Sequence, residues 1–81
     1  MQVWKSVGCI DSFQDIPWDQ KIIISGSIGG KTAWFYRISG VFKKDDVGFR
    51  FLDDYGISTP FSKNDYISLS LLEKQEADDE L

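Results

Sequence analysis

Lys21–Tyr55 reads KIIISGSIGGKTAWFYRISGVFKKDDVGFRFLDDY. Three apolar-rich runs, KIIISGSI, TAWFYRISGVF and FRFLDDY, are separated by turn signals at Ile28–Lys31 and Lys44–Gly48. β-branched and aromatic residues fill the runs, as a pleated, half-buried surface requires. Gly, Lys and Asp fill the gaps, as hairpin turns require. The stretch is expected to form an antiparallel three-strand meander, and that sets the class as all-β.

Register decides which side chains meet, because a one-residue slip moves every side chain to the other face. A two-residue Gly29-Gly30 loop pairs Ile24 with Phe35 and Ile22 with Arg37, and both faces come out mixed. A three-residue loop, with a Gly in the left-handed position of a bulge, pairs Ile28 with Thr32, Ile24 with Tyr36 and Ile22 with Ile38. One face is then Ile22, Ile24, Trp34, Tyr36 and Ile38. The other carries Lys21, Ile23, Ser25, Ser27, Ala33, Phe35, Arg37 and Ser39. The second register separates apolar from polar better and is the one expected. In the next hairpin a four-residue loop at 44–47 pairs Phe42 with Phe49 and Gly40 with Phe51. Phe49 and Phe51 then join the core face, with Phe51 covering Gly40. Gly26 and Gly40 mark places where the strands bend to close a barrel.

Outside the meander, residues 2–10 form a first strand on the strength of Val3, Trp4, Val7 and Ile10, with Gly8 signalling a bulge or a close approach. Residues 11–20, DSFQDIPWDQ, are a loop whose Phe13, Ile16 and Trp18 fold back over the core. Ser12 and Asp15 are spaced for a single helical turn. GISTPFSKND at 56–65 reads as a loop around Pro60. Tyr66–Leu71 alternates cleanly, with Ile67, Leu69 and Leu71 inward. The expected architecture is a small five-stranded antiparallel barrel, or a strongly bent sheet, occupying residues 1–72 as one domain. It resembles the small SH3-like or Tudor-like barrels, with an OB-type barrel as the alternative. That resemblance is one of architecture, and it does not imply a function.

Composition limits the chemistry. Eighty-one residues make one domain with a small core, and the three Trp, three Tyr and six Phe supply much of its apolar area. The net charge is −4, from nine Lys and Arg against thirteen Asp and Glu. Residues 73–81 hold five of the acids and one base, so the acidity belongs to that end and residues 1–72 are neutral. Residues 73–81 are expected to be a flexible acidic tail. A neutral body disfavours nucleic acid as a partner. There is no His, which removes the commonest general base and imidazole metal sites. The single Cys9 cannot build a thiolate zinc site or an internal disulfide, and it is expected as a small buried residue in a reducing compartment. No apolar run approaches the length of a membrane span, and the first residues lack the apolar centre of a signal peptide. A cytoplasmic setting is expected, with no membrane, cofactor or metal.

Three motifs need separate treatment. Gly30-Lys31-Thr32 resembles the end of a phosphate-binding loop. However, Ser25 stands where its first Gly belongs, and a strand follows where a helix is needed. Asp45-Asp46 sits in a turn, where Asp is favoured for its geometry. Neighbours in a strand point to opposite faces, so Asp53-Asp54 does not form a catalytic dyad. No enzymatic activity is expected. What remains is surface recognition. The expected register places Phe35, Arg37 and Ile23 on an outer face, and Asp53, Asp54 and Tyr55 form a second cluster beside the 56–65 loop. Phe35 and Ile23 could instead pack beneath the first strand or the 11–20 loop. The functional expectation is a non-catalytic binder of another protein, such as a stoichiometric inhibitor, immunity-type or accessory protein. The alternatives are a nucleic-acid or nucleotide binder using Trp34, Phe35, Tyr36, Lys31 and Arg37, or a nucleic-acid mimic working through the acidic tail.

Overall fold

A computed structural model describes residues 2–29 and 33–76. It is one antiparallel sheet of six strands: β1 Gln2–Ile10, β2 Lys21–Ile28, β3 Ala33–Lys44, β4 Gly48–Asp53, β5 Ser58–Ser62 and β6 Ile67–Glu76. The order across the sheet is β1-β6-β2-β3-β4-β5, with β1 and β5 at the free edges, so the sheet does not close into a barrel. The meander is present as β2-β3-β4, and β6 inserts between it and β1.

One face of the sheet is the core. Ile10, Ile24, Ile28, Phe42, Phe49, Phe51, Phe61, Ile67 and Leu69, drawn from all six strands, join Ile16 in a single buried cluster. A flat sheet could not bring all six strands to one cluster, so the sheet curls around its apolar face. The 11–20 segment covers that face as expected. A 3₁₀ turn at Phe13–Asp15 follows Ser12, whose hydroxyl donates to Asp15 Oδ2 at 3.1 Å. Phe13 and Trp18 stack edge-on against each other and against Phe49, and the Asp19 N–H donates to the Phe42 carbonyl at 2.9 Å. Large rings give a small core apolar area and edge-to-face contacts together. The Phe42–Phe51 pair, at 4.8 Å between centroids, anchors the centre.

Four expectations change. Residues 58–62, expected in a loop because of Pro60, form the edge strand β5, pairing Phe49 with Phe61 and Arg50 with Pro60. An edge strand tolerates a proline because the missing N–H would face no neighbour. Residues 73–76, expected in the tail, continue β6 and pair with β1 from Lys5↔Glu73 to Gln2↔Glu76. The rest of that tail, 77–81, lies outside the described residues. Cys9 is exposed rather than buried. The β3–β4 register is shifted by two residues from the expected one, pairing Phe42 with Phe51 and Lys44 with Phe49. That two-residue shift preserves parity, so Phe49 and Phe51 still face the core. Phe51 still covers Gly40, where an added Cβ would lie 2.6 Å from Phe51 Cζ. The bulge signalled by Gly8 is real: the β1–β6 register shifts between Ser6 and Gly8.

Candidate binding surface

The β2–β3 register differs from both hairpins considered from the sequence. Next to the turn, Ile28 pairs with Ala33, Ser27 with Trp34 and Gly26 with Phe35. Farther along, Ile24 pairs with Ile38 and Lys21 with Val41. Between these stretches Ser25 faces two residues, Tyr36 and Arg37, so β3 carries one residue more than its partner, a β-bulge. Arg37 has φ +53°, in the left-handed region, and its N–H donates to Ser25 Oγ at 2.8 Å. The turn residues Gly30, Lys31 and Thr32 lie outside the described residues.

The bulge reverses the face of the strand. On the turn side odd-numbered residues point inward. Phe35 packs edge-on against Phe51 at 5.4 Å and Phe61 at 6.2 Å. Beyond the bulge even-numbered residues point inward, Ile38 and Phe42 among them. Trp34 and Tyr36, expected in the core, therefore face solvent at 74% and 75% exposure. Phe35, expected on the outer face, is half-buried against the core.

Arg37 remains on the surface. Its guanidinium lies 4.9 Å from the Tyr36 ring centroid and 5.2 Å from that of Trp4. The ammonium of Lys74, the cross-strand partner of Trp4, lies 5.1 Å from the same Trp4 ring. Such contacts contribute about 0.5–1 kcal/mol each at exposed sites. Beside Arg37 is an open hollow of about 270 Å³ lined by Tyr36, Arg37, Ile38, Ser39, Asp54 and Tyr55. Lys21 Nζ pairs with Asp54 Oδ1 at its rim, at 2.8 Å. The Lys21 hydrogen bond lowers the Asp54 pKa below the ordinary aspartate value, desolvation opposes it, and a hydrogen bond with Ser39 adds to the lowering.

The structure treats the sequence-selected residues differently. Arg37, Asp54 and Tyr55 meet around the hollow, with Tyr55 85% exposed. Asp53 is a turn builder, since its Oδ1 accepts from the N–H groups of Tyr55 and Ile57, both at 2.9 Å. Asp45 does the same in the preceding turn, accepting from Val47 and Gly48. Ile23 is half-buried on the outer face between Ser39 and Leu72, in a separate hollow of about 350 Å³ shared with Val7 and Lys74. Trp4 and Lys74 were not selected from the sequence because they come from strands distant from Arg37 in the chain. Among the described residues no group of three or more His, Cys, Asp or Glu converges as a metal-binding set would.

Comparison of the chain with protein-family models, with characterised proteins and with solved structures finds no match.

Proposed function

We propose that this chain is a non-catalytic protein-binding module that acts by surface recognition, as a stoichiometric inhibitor, immunity-type or accessory protein does. The observation that supports it is the exposure of Trp34, Tyr36 and Tyr55, each at least 74%, with Tyr36 and Tyr55 lining the hollow beside Arg37 on a hydrogen-bonded sheet. Trp, Tyr and Arg are the side chains that dominate binding energy at protein interfaces. Here they are carried on strands and a tight turn, so little conformational freedom is lost on docking. The test is affinity capture from the source organism with the immobilised chain, followed by mass spectrometry. One protein should be retained by the wild type and lost from Trp34→Ala and Tyr55→Ala. Capture of no protein, or equal capture by both variants, refutes the reading.

A second reading, binding of single-stranded nucleic acid, is favoured by one observation: Trp34 and Tyr36 face solvent, as base stacking needs. Against it, Phe35 is turned inward and the chain is acidic overall. No shift of a labelled oligonucleotide at low salt eliminates it. The mimicry reading now rests on 77–81 alone, since Glu73 and Glu76 belong to β6. Truncation after Glu76 tests it and keeps Ile67–Glu76 of β6.

A further inference from the structure

We propose that Arg37 and Lys74 form an anion-receiving fork for a carboxylate on an acidic segment of the partner protein. This deepens, and rests on, the protein-binding reading above. The first observation is the cost of placing Arg37 where it is. Without it Ser25 would face Tyr36, and the ladder from Ile38 to Phe35 would run unbroken with every side chain on its present face. The chain instead keeps an extra residue in the left-handed region, which a non-glycine side chain disfavours. Strain of this kind concentrates at functional positions.

The second observation is charge pairing on the outer face. Five cations project there: Lys21, Arg37, Lys43, Arg50 and Lys74. Three have carboxylates of their own, Lys21 with Asp54, Lys43 with Asp19 and Arg50 with Asp45. Among the described residues no carboxylate pairs with Arg37 or Lys74. Both cations lie about 5 Å from the centre of the Trp4 ring, so they are no more than about 10 Å apart. Of these five cations, the two without a carboxylate partner among the described residues are thus the two that share the Trp4 ring. Rings against the guanidinium orient it and leave its N–H donors for a planar acceptor, the geometry in which Arg binds a carboxylate through two parallel hydrogen bonds.

A carboxylate fits better than a nucleic-acid backbone. A row of phosphates needs a stripe of free cations, and here the neighbouring cations are already neutralised. Cations already lie against Trp4 and Tyr36, which reduces what either ring can offer a base. Exposed Tyr55, which lines the same hollow as Arg37, suits an apolar residue beside the acid.

The test is selection of a random displayed-peptide library on the immobilised full chain. Affinities of an enriched peptide are then measured for wild type, Arg37→Lys, Arg37→Gln and Lys74→Gln, with oligo(dT) as competitor and circular dichroism to verify folding. Enriched peptides should carry Asp or Glu next to an aromatic or aliphatic residue. Binding should fall at least tenfold in Arg37→Gln, fall less in Arg37→Lys, and weaken with salt. Enriched peptides lacking acids, or insensitive to Arg37→Gln and Lys74→Gln, overturn the fork but leave the protein-binding reading standing. Absence of any enriched peptide overturns both. Oligo(dT) binding tighter than any peptide, and lost in Arg37→Gln, overturns the carboxylate assignment in favour of phosphate.

Discussion

Deleting Arg37 should leave a folded protein, whereas deleting Ser39, two positions along the same strand, should not. Removal of Arg37 heals the bulge: Ser25 then faces Tyr36, Phe35 stays inward, and Trp34 and Tyr36 stay outward. Relief of the left-handed residue is worth about 1–2 kcal/mol. Against it stand the hydrogen bond to Ser25 Oγ, about 1 kcal/mol, and two exposed cation–π contacts of about 0.5–1 kcal/mol each. The balance lies within about 2 kcal/mol of zero. Removal of Ser39 also heals the bulge, but it places Arg37 opposite Ile24, which is fully buried, and turns Ile38 outward. Sliding residues 40–44 instead would turn Phe42, also fully buried, to solvent. Desolvating the guanidinium costs several kcal/mol, and exposing Ile38 adds about 1–2 kcal/mol. The sum exceeds about 4 kcal/mol, which is comparable to the whole stability of a domain this size, about 4–12 kcal/mol. Urea denaturation followed by near-UV circular dichroism measures both variants. One kcal/mol corresponds to about 4–8 °C in a parallel melting experiment. Loss of more than about 3 kcal/mol on deleting Arg37, or wild-type stability after deleting Ser39, refutes the placement of the face reversal at Tyr36-Arg37.

Three further outcomes follow from the packing and charges. Gly40→Ala should destabilise by about 1–3 kcal/mol or more, because its Cβ would meet the Leu52 carbonyl, Phe51 Cζ at 2.6 Å and Asp53 Cα at 2.8 Å; a melting temperature equal to wild type contradicts the close approach. Pro60→Thr restores a donor on the free edge of β5 and should raise self-association, read by light scattering against concentration; unchanged scattering means the edge is protected by something else. Asp54 has a pKa lowered on folding, chiefly by Lys21. Its contribution should be complete above the unfolded value of about 3.9 and be lost as pH falls through the lower folded value. The effect should be small because the pair is exposed. The wild-type advantage over Asp54→Asn should therefore shrink below about pH 4 in acid melts, and a constant difference down to pH 2 contradicts the Lys21 pairing.

Several features were legible because they depend on local chemistry. Alternation in Ile67–Leu71 placed the inward face of β6, and Gly8 marked a bulge that exists. Phe51 over Gly40 survived a two-residue error in register because such a shift keeps side chains on their faces. The apolar residues of 11–20 announced a covering segment rather than a free loop. β5 was hidden by Pro60, since a proline looks like a loop signal unless the strand is known to be an edge. The length of β6 was hidden because Glu73–Glu76 are strand only by pairing with β1, a partner some seventy residues away in the chain.

The candidate surface shows the division most clearly. Arg37 was selected as a surface residue from its type, and it is one. Its companions were misassigned because a bulge adds one residue to one strand without any mark in the hydrophobic pattern, so Phe35 and Trp34 exchange faces. The sequence by itself determined the all-β class, the central meander, the aromatic core and the absence of histidine chemistry, because propensity, patterning and composition are local properties. Only the tertiary structure decided which aromatics are exposed and that Trp4 and Lys74 meet Arg37. Those outcomes depend on register and strand order, which are set by pairing between segments far apart in the chain.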